Sequence, residues 1–199
     1  MSKTIAAEVF TFDELNDAAK EKAREWYREG ALDYAWWEFL YENVKTAGKC
    51  LGINVDDIYF SGFHSQGDGA CFTGTYDYRK GWRAALKAEF GDNNLSALTT
   101  IGEALQAVQK PVFYRLSTGV RQTGRGSDEY STTIDVDDRD VPDGLPVDED
   151  ALKDALRDFM RWIYRSLEAE YEWLNADEQV DELIKANEYT FTEDGKRFG

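Results

Sequence analysis

The stretch from Ile58 to Tyr78 constrains this chain more than any other. It reads Ile-Tyr-Phe-Ser-Gly-Phe-His-Ser-Gln-Gly-Asp-Gly-Ala-Cys-Phe-Thr-Gly-Thr-Tyr-Asp-Tyr. Aromatic and β-branched residues mark two strands, Asp56–Phe63 and Ala70–Tyr78, on either side of a polar, glycine-punctuated loop, His64–Gly69. A period of two puts Phe60 and Phe72 on one face of the pair and Tyr59 and Cys71 on the other. Gly62 and Gly74 fall inside the strands, where a missing side chain permits a bulge or a close approach. Asp68-Gly69 supplies turn chemistry that closes a hairpin.

The rest of the chain arranges itself around that hairpin. Thr4–Phe10 reads as a short strand. Thr11-Phe-Asp-Glu14 matches a capping box, followed by an apolar face of Leu15, Ala19, Ala23 and Trp26 and a stop at Gly30. A second helix is expected from near Asp33, with Trp36, Leu40, Val44, Ala47 and Leu51 on one face and Gly52 at its end. Helices follow from Trp82 to about Phe90 and from Leu95 to about Gln109, where Pro111 forbids continuation. Val112–Thr123 and Asp128–Asp137 read as a second, more polar hairpin. Asp148–Leu174 is the longest helix, with Asn175 capping a short last one and a tight turn at Glu193–Gly195. Hairpins with helices between them indicate an α+β fold in one domain, residues 1–199. The expected form is an antiparallel sheet of four to six strands, packed by pairs of helices and one long C-terminal helix.

Charge narrows the function. The net charge is −16, against a hydrophobic content of 42% that is ample for a folded core. So acidic a chain repels nucleic acid and anionic membranes, and suits basic, often nucleic-acid-binding, protein partners. The bland reading is solubility. The charge is concentrated: Asp128–Asp158 holds twelve acidic and three basic residues, a net −9. Asp128, Glu129, Asp135, Asp137, Asp138, Asp140, Asp148, Glu149 and Asp150 are the candidate partner-binding residues, since carboxylates along a strand and a helix can resemble a row of phosphates. Cys50 and Cys71 read as reduced core residues, and the absence of a signal peptide or an apolar span suggests a cytoplasmic protein.

Catalytic and metal signals are weak. His64 is the only histidine, and a nucleophile pair would have to use it with Ser61, Ser65 or Cys71. One histidine and two separated cysteines lack zinc spacing. The aspartates from Asp135 to Asp143 fail the calcium-loop pattern, and no phosphate-binding fingerprint is present. No cofactor and no catalytic residue are assigned. The loop residues His64, Ser65, Gln66 and Asp68, with Tyr76 nearby, are the candidate site for a small polar ligand such as a nucleotide or a metal ion.

Several blocks carry a resemblance. Thr-Phe-Asp-Glu-Leu near the start, Ser61-Gly-Phe-His-Ser-Gln-Gly-Asp-Gly-Ala-Cys-Phe72, Asp158-Phe-Met-Arg-Trp-Ile-Tyr-Arg165 and Asn187-Glu-Tyr-Thr-Phe-Thr-Glu-Asp-Gly195 together resemble a family of small acidic bacteriophage proteins. Its members are mostly described as hypothetical phage proteins, sometimes as the antitoxin of a toxin–antitoxin stability system. The resemblance implies a phage-encoded accessory protein in the cytoplasm of an infected bacterium, binding and inhibiting a host defence or toxin protein. It carries no catalytic residues, and it implies an aromatic or small residue where His64 stands. The alternatives are a ligand-binding protein or enzyme built on residues 64–69, and a structural phage protein that self-associates through aromatics such as Trp36 or Trp173. The oligomeric state is left open by the sequence.

Overall fold

The computed structural model describes residues 8–92 and 95–199. Most of the strand expected at Thr4–Phe10 lies outside them. Among the described residues the protein is α+β, with six helices, a four-stranded antiparallel sheet and a separate two-stranded one. They group into two compact units, Trp37–Glu168 and the described part of Met1–Trp36 with Ala169–Gly199. The second unit comes from both ends of the chain, so no linker marks it in the sequence.

The larger unit begins with α2, Glu38–Leu51. The expected start near Asp33 moves inward, and Trp37 stands at the N-cap. Gly52 ends α2 in the left-handed region, φ 88, with its amide donating to the carbonyls of Gly48 and Lys49. A Cβ there would meet the Asp77 carbonyl oxygen at 2.0 Å, so glycine is required by both conformation and space. Strands β2 (Ile53–Phe60) and β3 (Ala70–Asp77) follow, then α3 (Trp82–Phe90), α4 (Ser96–Gln109), β4 (Ser117–Gln122) and β5 (Thr132–Asp137). The sheet order is β2-β3-β4-β5. Tyr59 pairs with Cys71 and Ile58 with Phe72, which puts the side chains on the expected faces, with a bulge between Val55 and Asp57. Gly62 lies beyond the end of β2, in the loop.

One face of this sheet is apolar. Ile53, Val55, Ile58, Phe72, Tyr76, Val120 and Ile134 are buried on it. From α2, Gly48 approaches so closely that a Cβ would lie 2.8 Å from the Ile53 carbonyl. From α5 (Glu149–Asn175), Phe159 meets Phe72 edge to face with centroids 5.7 Å apart. The buried stripe of α5 is Leu152, Ala155, Leu156, Phe159, Met160, Ile163 and Leu167, at helical spacing. Each large side chain so buried contributes on the order of 1.5–3 kcal/mol. Asp148 starts this helix, accepting from the Ala151 amide at 3.0 Å. The opposite sheet face carries Asp57, Thr75, Asp77, Arg121, Thr133 and Asp135, all exposed.

The strand expected at Val112–Thr123 is shortened to β4. A 3-10 turn at Lys110–Val112 extends α4, and Phe113 and Tyr114 then adopt left-handed conformations, φ 56 and 62. The return strand likewise begins at Thr132, because Asp128 closes a turn by accepting from the Tyr130 amide at 2.7 Å and the Ser131 hydroxyl at 3.0 Å.

The smaller unit pairs β1 (Phe10–Thr11) antiparallel to β6 (Thr190–Phe191), with α1 (Asp17–Ala31) and α6 (Asp177–Ala186). Its core is Phe12, Leu15, Ala19, Ala23, Val180, Ile184 and Phe191. Thr11 donates to the Glu14 carboxylate through its amide at 2.7 Å and its hydroxyl at 2.8 Å, but this closes a three-residue 3-10 turn. Asn16 is the cap of α1, accepting from the Ala19 amide at 3.0 Å. Asn175 is the last residue of α5, and its side chain donates back to the Tyr171 carbonyl at 2.7 Å; Ala176 occupies the N-cap of α6.

Candidate functional site

The loop between β2 and β3 is closed on itself. Asp68 accepts from the Ser65 amide at 2.7 Å, and its own amide donates to the Ser65 carbonyl at 3.1 Å. Ser61 and Gly69 bond through the Ser61 amide at 3.1 Å, and the Gly69 amide donates to the Ser61 hydroxyl at 3.2 Å. The positive backbone angles fall on His64, φ 86, and Gly67, φ 91, rather than at Asp68-Gly69. Phe63 fastens the loop to the body, stacking on Phe60 at 6.0 Å and packing on Tyr164 at 5.6 Å. His64, Ser65 and Gln66 are exposed. The Ser65 amide that would face a ligand is already used by Asp68.

Tyr76 does not belong to this loop. It lies near the far end of β3, opposite Ile53 and Thr118, and is fully buried. Burial pushes its phenol well above the ordinary value. Its period-two position on the hairpin was legible; its distance from the loop along the strand decides against a shared site.

Cys50 and Cys71 are buried free thiols. Burial pushes Cys71 up to about 11, with the nearby Asp128 charge acting the same way. A thiol of that kind stays protonated and is a poor nucleophile. Among the described residues, no group of three or more His, Cys, Asp or Glu could hold a metal ion. No described helix is long and apolar enough to cross a membrane.

The structure divides the nine candidate acids in two. Six act within the fold. Asp128 closes the turn described above. Glu129 accepts from Arg161 Nε at 2.9 Å, and Asp135 pairs with Arg121 across β4 and β5. Asp137 is clasped by Arg139, whose Nε donates at 2.9 and 3.1 Å and whose amide donates at 3.1 Å. These bonds hold the Asp137 carboxyl down to about 2. Asp148 caps α5, and Glu149 pairs with Lys153 one turn later at 2.7 Å. Asp138, Asp140 and Asp150 are exposed, and their carboxylates have no ion pair or hydrogen bond among the described residues.

One of those three, Asp140, lines a feature that the sequence did not single out. A cleft of about 410 Å³ opens where β3 ends and β4 begins, lined by Asp77, Tyr78, Tyr114, Arg115, Leu116, Ser117 and Asp140. Tyr78 and Tyr114 pack with centroids 4.2 Å apart at 30°. Phe113, at 65% exposed, stands next to them as a bare aromatic. Arg115 donates to the Asp140 carbonyl at 3.1 Å, which ties the cleft to the acidic turn after β5. Cross-strand pairing sets Asp77, Ser117 and Asp137 in one row across the sheet. The cleft thus joins aromatic surface to Asp77 and Asp140, with Arg115 between them. The exposed run Phe113-Tyr114 was the available sequence signal, hidden because it read as strand interior.

The aromatics considered for self-association differ in setting. Trp36 packs against Tyr171 with centroids 6.0 Å apart, whereas Trp173 is 53% exposed.

The conserved-domain comparison bears on the unit that holds this cleft. The model of the family described as Domain of unknown function (DUF8835) matches residues 36–177. The chain belongs to that family. The matched span contains the whole of Trp37–Glu168, and with it the four-stranded sheet, the loop after β2 and the cleft between β3 and β4. No curated protein and no solved structure matches the chain.

Proposed function

We propose that the protein is a non-catalytic, acidic accessory protein that binds a basic surface of a host protein and occludes it. The observation that carries this reading is the placement of Asp77 and Asp140, exposed and without ion pairs among the described residues, in a cleft walled by the Tyr78–Tyr114 pair, with the equally exposed Asp138 two residues before Asp140 in sequence. Carboxylates beside an exposed aromatic surface suit arginine- and lysine-rich partners: the charges steer the encounter, and the rings supply the desolvated contact that dominates binding energy. Six internally paired acids keep the surrounding scaffold in place. The resemblance to small acidic phage proteins supplies the setting, in which the partner is a host defence or toxin protein whose nucleic-acid site is covered.

The test is a captured host protein remeasured in purified form. Affinity should fall steeply between about 0.1 M and about 1 M salt, as the Debye length shrinks from about 10 Å to about 3 Å. The combined variant Asp77→Asn, Asp138→Asn, Asp140→Asn should weaken the complex with its fold intact. An affinity flat in salt and indifferent to this variant rules the reading out.

A further inference from the structure

The two edges of the four-stranded sheet are not equivalent. At β2 the edge is covered and interrupted. Helix α2 lies against it, with Gly48 close to the Ile53 carbonyl oxygen and the Tyr41 hydroxyl donating to the Ile58 carbonyl at 3.3 Å. The bulge between Val55 and Asp57 breaks its line. Covers and bulges of this kind keep an edge from pairing with another chain.

The edge at β5 has neither. All six of its residues, Thr132–Asp137, pair with β4 in one unbroken register. The Thr123 amide donates to the Ser131 carbonyl at 3.0 Å in the same register, and this fixes the alternation. Thr133, Asp135 and Asp137 therefore bond toward β4, while the amides and carbonyls of Thr132, Ile134 and Val136 point outward. Those outward groups have no hydrogen-bond partner among the described residues. Thr132, Thr133, Ile134 and Val136 are also β-branched, which favours extended pairing.

Charge selects the occupant. From Glu129 through β5 to Asp150 the chain holds nine acids and a single base, Arg139. Arg121, Arg161 and Lys153 reach three of those acids from outside the segment, and Asp138, Asp140 and Asp143 have no ion pair among the described residues. A second copy of the chain would bring this acidic segment against itself, which like charges oppose. A basic strand meets complementary charge. Its alternation sets lysine or arginine on the open sheet face and apolar side chains beside Ile134 and Val136 on the face covered by α5.

We infer that β5 receives an extended, lysine- or arginine-bearing segment of a protein partner as a fifth antiparallel strand. The inference rests on the reading of the partner as basic and states how it is held: main-chain bonds to Thr132, Ile134 and Val136 supply the grip, and the acids around β5 supply the preference for cations.

The probe is the peptide acetyl-Thr-Lys-Val-Lys-Val-Lys-Thr-amide, titrated into the full chain and followed by amide NMR shifts and hydrogen exchange. Saturation should slow exchange of the Thr132, Ile134 and Val136 amides several-fold, while those of Thr133 and Asp135, already turned toward β4, keep their rates. The valines of the bound peptide share a face with Ile134 and turn their backbone groups toward β5. Methylating the two valine nitrogens should therefore abolish binding, and methylating the lysine nitrogens should spare it. The glutamate counterpart of the peptide should not bind. Val136→Pro, which removes an outward amide at an edge position where proline is tolerated, should abolish the protection of Ile134; the methylated peptides carry the test if this variant does not fold. Shifts confined to Tyr78 and Tyr114 overturn the strand inference while the acidic-surface reading stands, since that reading fails separately on a complex indifferent to salt. No saturable binding, equal loss from either methylation, or equal binding of the glutamate peptide also overturns it. So does protection of the same amides in the peptide-free chain as its concentration rises, which would make a second copy the occupant.

Discussion

Gln109 holds Leu116 at both backbone polar groups: its Oε1 accepts from the Leu116 amide at 3.1 Å, and its Nε2 donates to the Leu116 carbonyl at 2.7 Å. Gln109 is completely buried. This clamp closes the segment from Lys110 to Arg115 into a compact turn and fixes the left-handed Phe113 and Tyr114. Residues without glycine's freedom adopt that region only when their surroundings enforce it. The clamp is therefore what displays the aromatic wall of the acidic cleft.

Replacing Gln109 by Leu should leave two buried backbone groups unpaired, each worth about 1–3 kcal/mol. Urea unfolding should show a loss of about 2–5 kcal/mol, and hydrogen exchange should show residues 110–116 opening first. A loss under about 1 kcal/mol would mean that the turn is held by other contacts.

Gly102→Ala should be destabilising although it raises helix propensity. The new Cβ would lie 2.4 Å from the Trp82 ring, and that ring is fixed by its indole nitrogen donating to Gln106 at 2.7 Å. Overpacking of this kind costs about 1–3 kcal/mol. Thermal unfolding with Trp82 fluorescence as a second signal is the measurement; an alanine variant at least as stable as the parent contradicts it.

Asp137 should titrate near 2, because Arg139 bonds its ionised form. A depressed carboxyl stabilises the fold above its unfolded value, near 4, and that contribution disappears as the pH falls toward 2. Arg139→Ala should return the Asp137 carbon-detected NMR midpoint toward the ordinary aspartate range, while the midpoints of other aspartates stay in place.

Cys71 should resist thiol reagents until the protein unfolds, since it is fully buried and pushed up to about 11. The sign for stability follows. The unfolded thiol ionises near 9 and the folded one near 11, so stability is complete below about 9 and declines between these values. Cys71→Ala should unfold with a shallower dependence on pH over that window, and an identical slope would exclude the thiol as its source.

Local chemistry by itself determined much of this protein. The period of 3.6 in Leu98, Ile101 and Leu105 and in the stripe from Leu152 to Leu167 marks α4 and α5, and alternation in Ile58–Tyr78 marks the β2–β3 hairpin and the faces its side chains take. These patterns repeat over several turns or pleats, so the apolar face of each element is fixed without knowing what covers it. The α+β class follows from their order.

Other features needed the tertiary structure. Two β positions near opposite ends of the chain, Phe10 and Phe191, are paired, and Arg24 reaches Asp181 across 157 residues. No local pattern encodes such partners. The break at Phe113 and Tyr114 comes from a buried amide at Gln109 that is indistinguishable in sequence from a solvated one. The acidic run shows the same division: composition gives its charge, but only three-dimensional neighbours decide that Glu129, Asp135 and Asp137 meet arginines while Asp138 and Asp140 face solvent. Charge is a property of the residue; whether it is available to a partner depends on which groups the fold brings within hydrogen-bond reach.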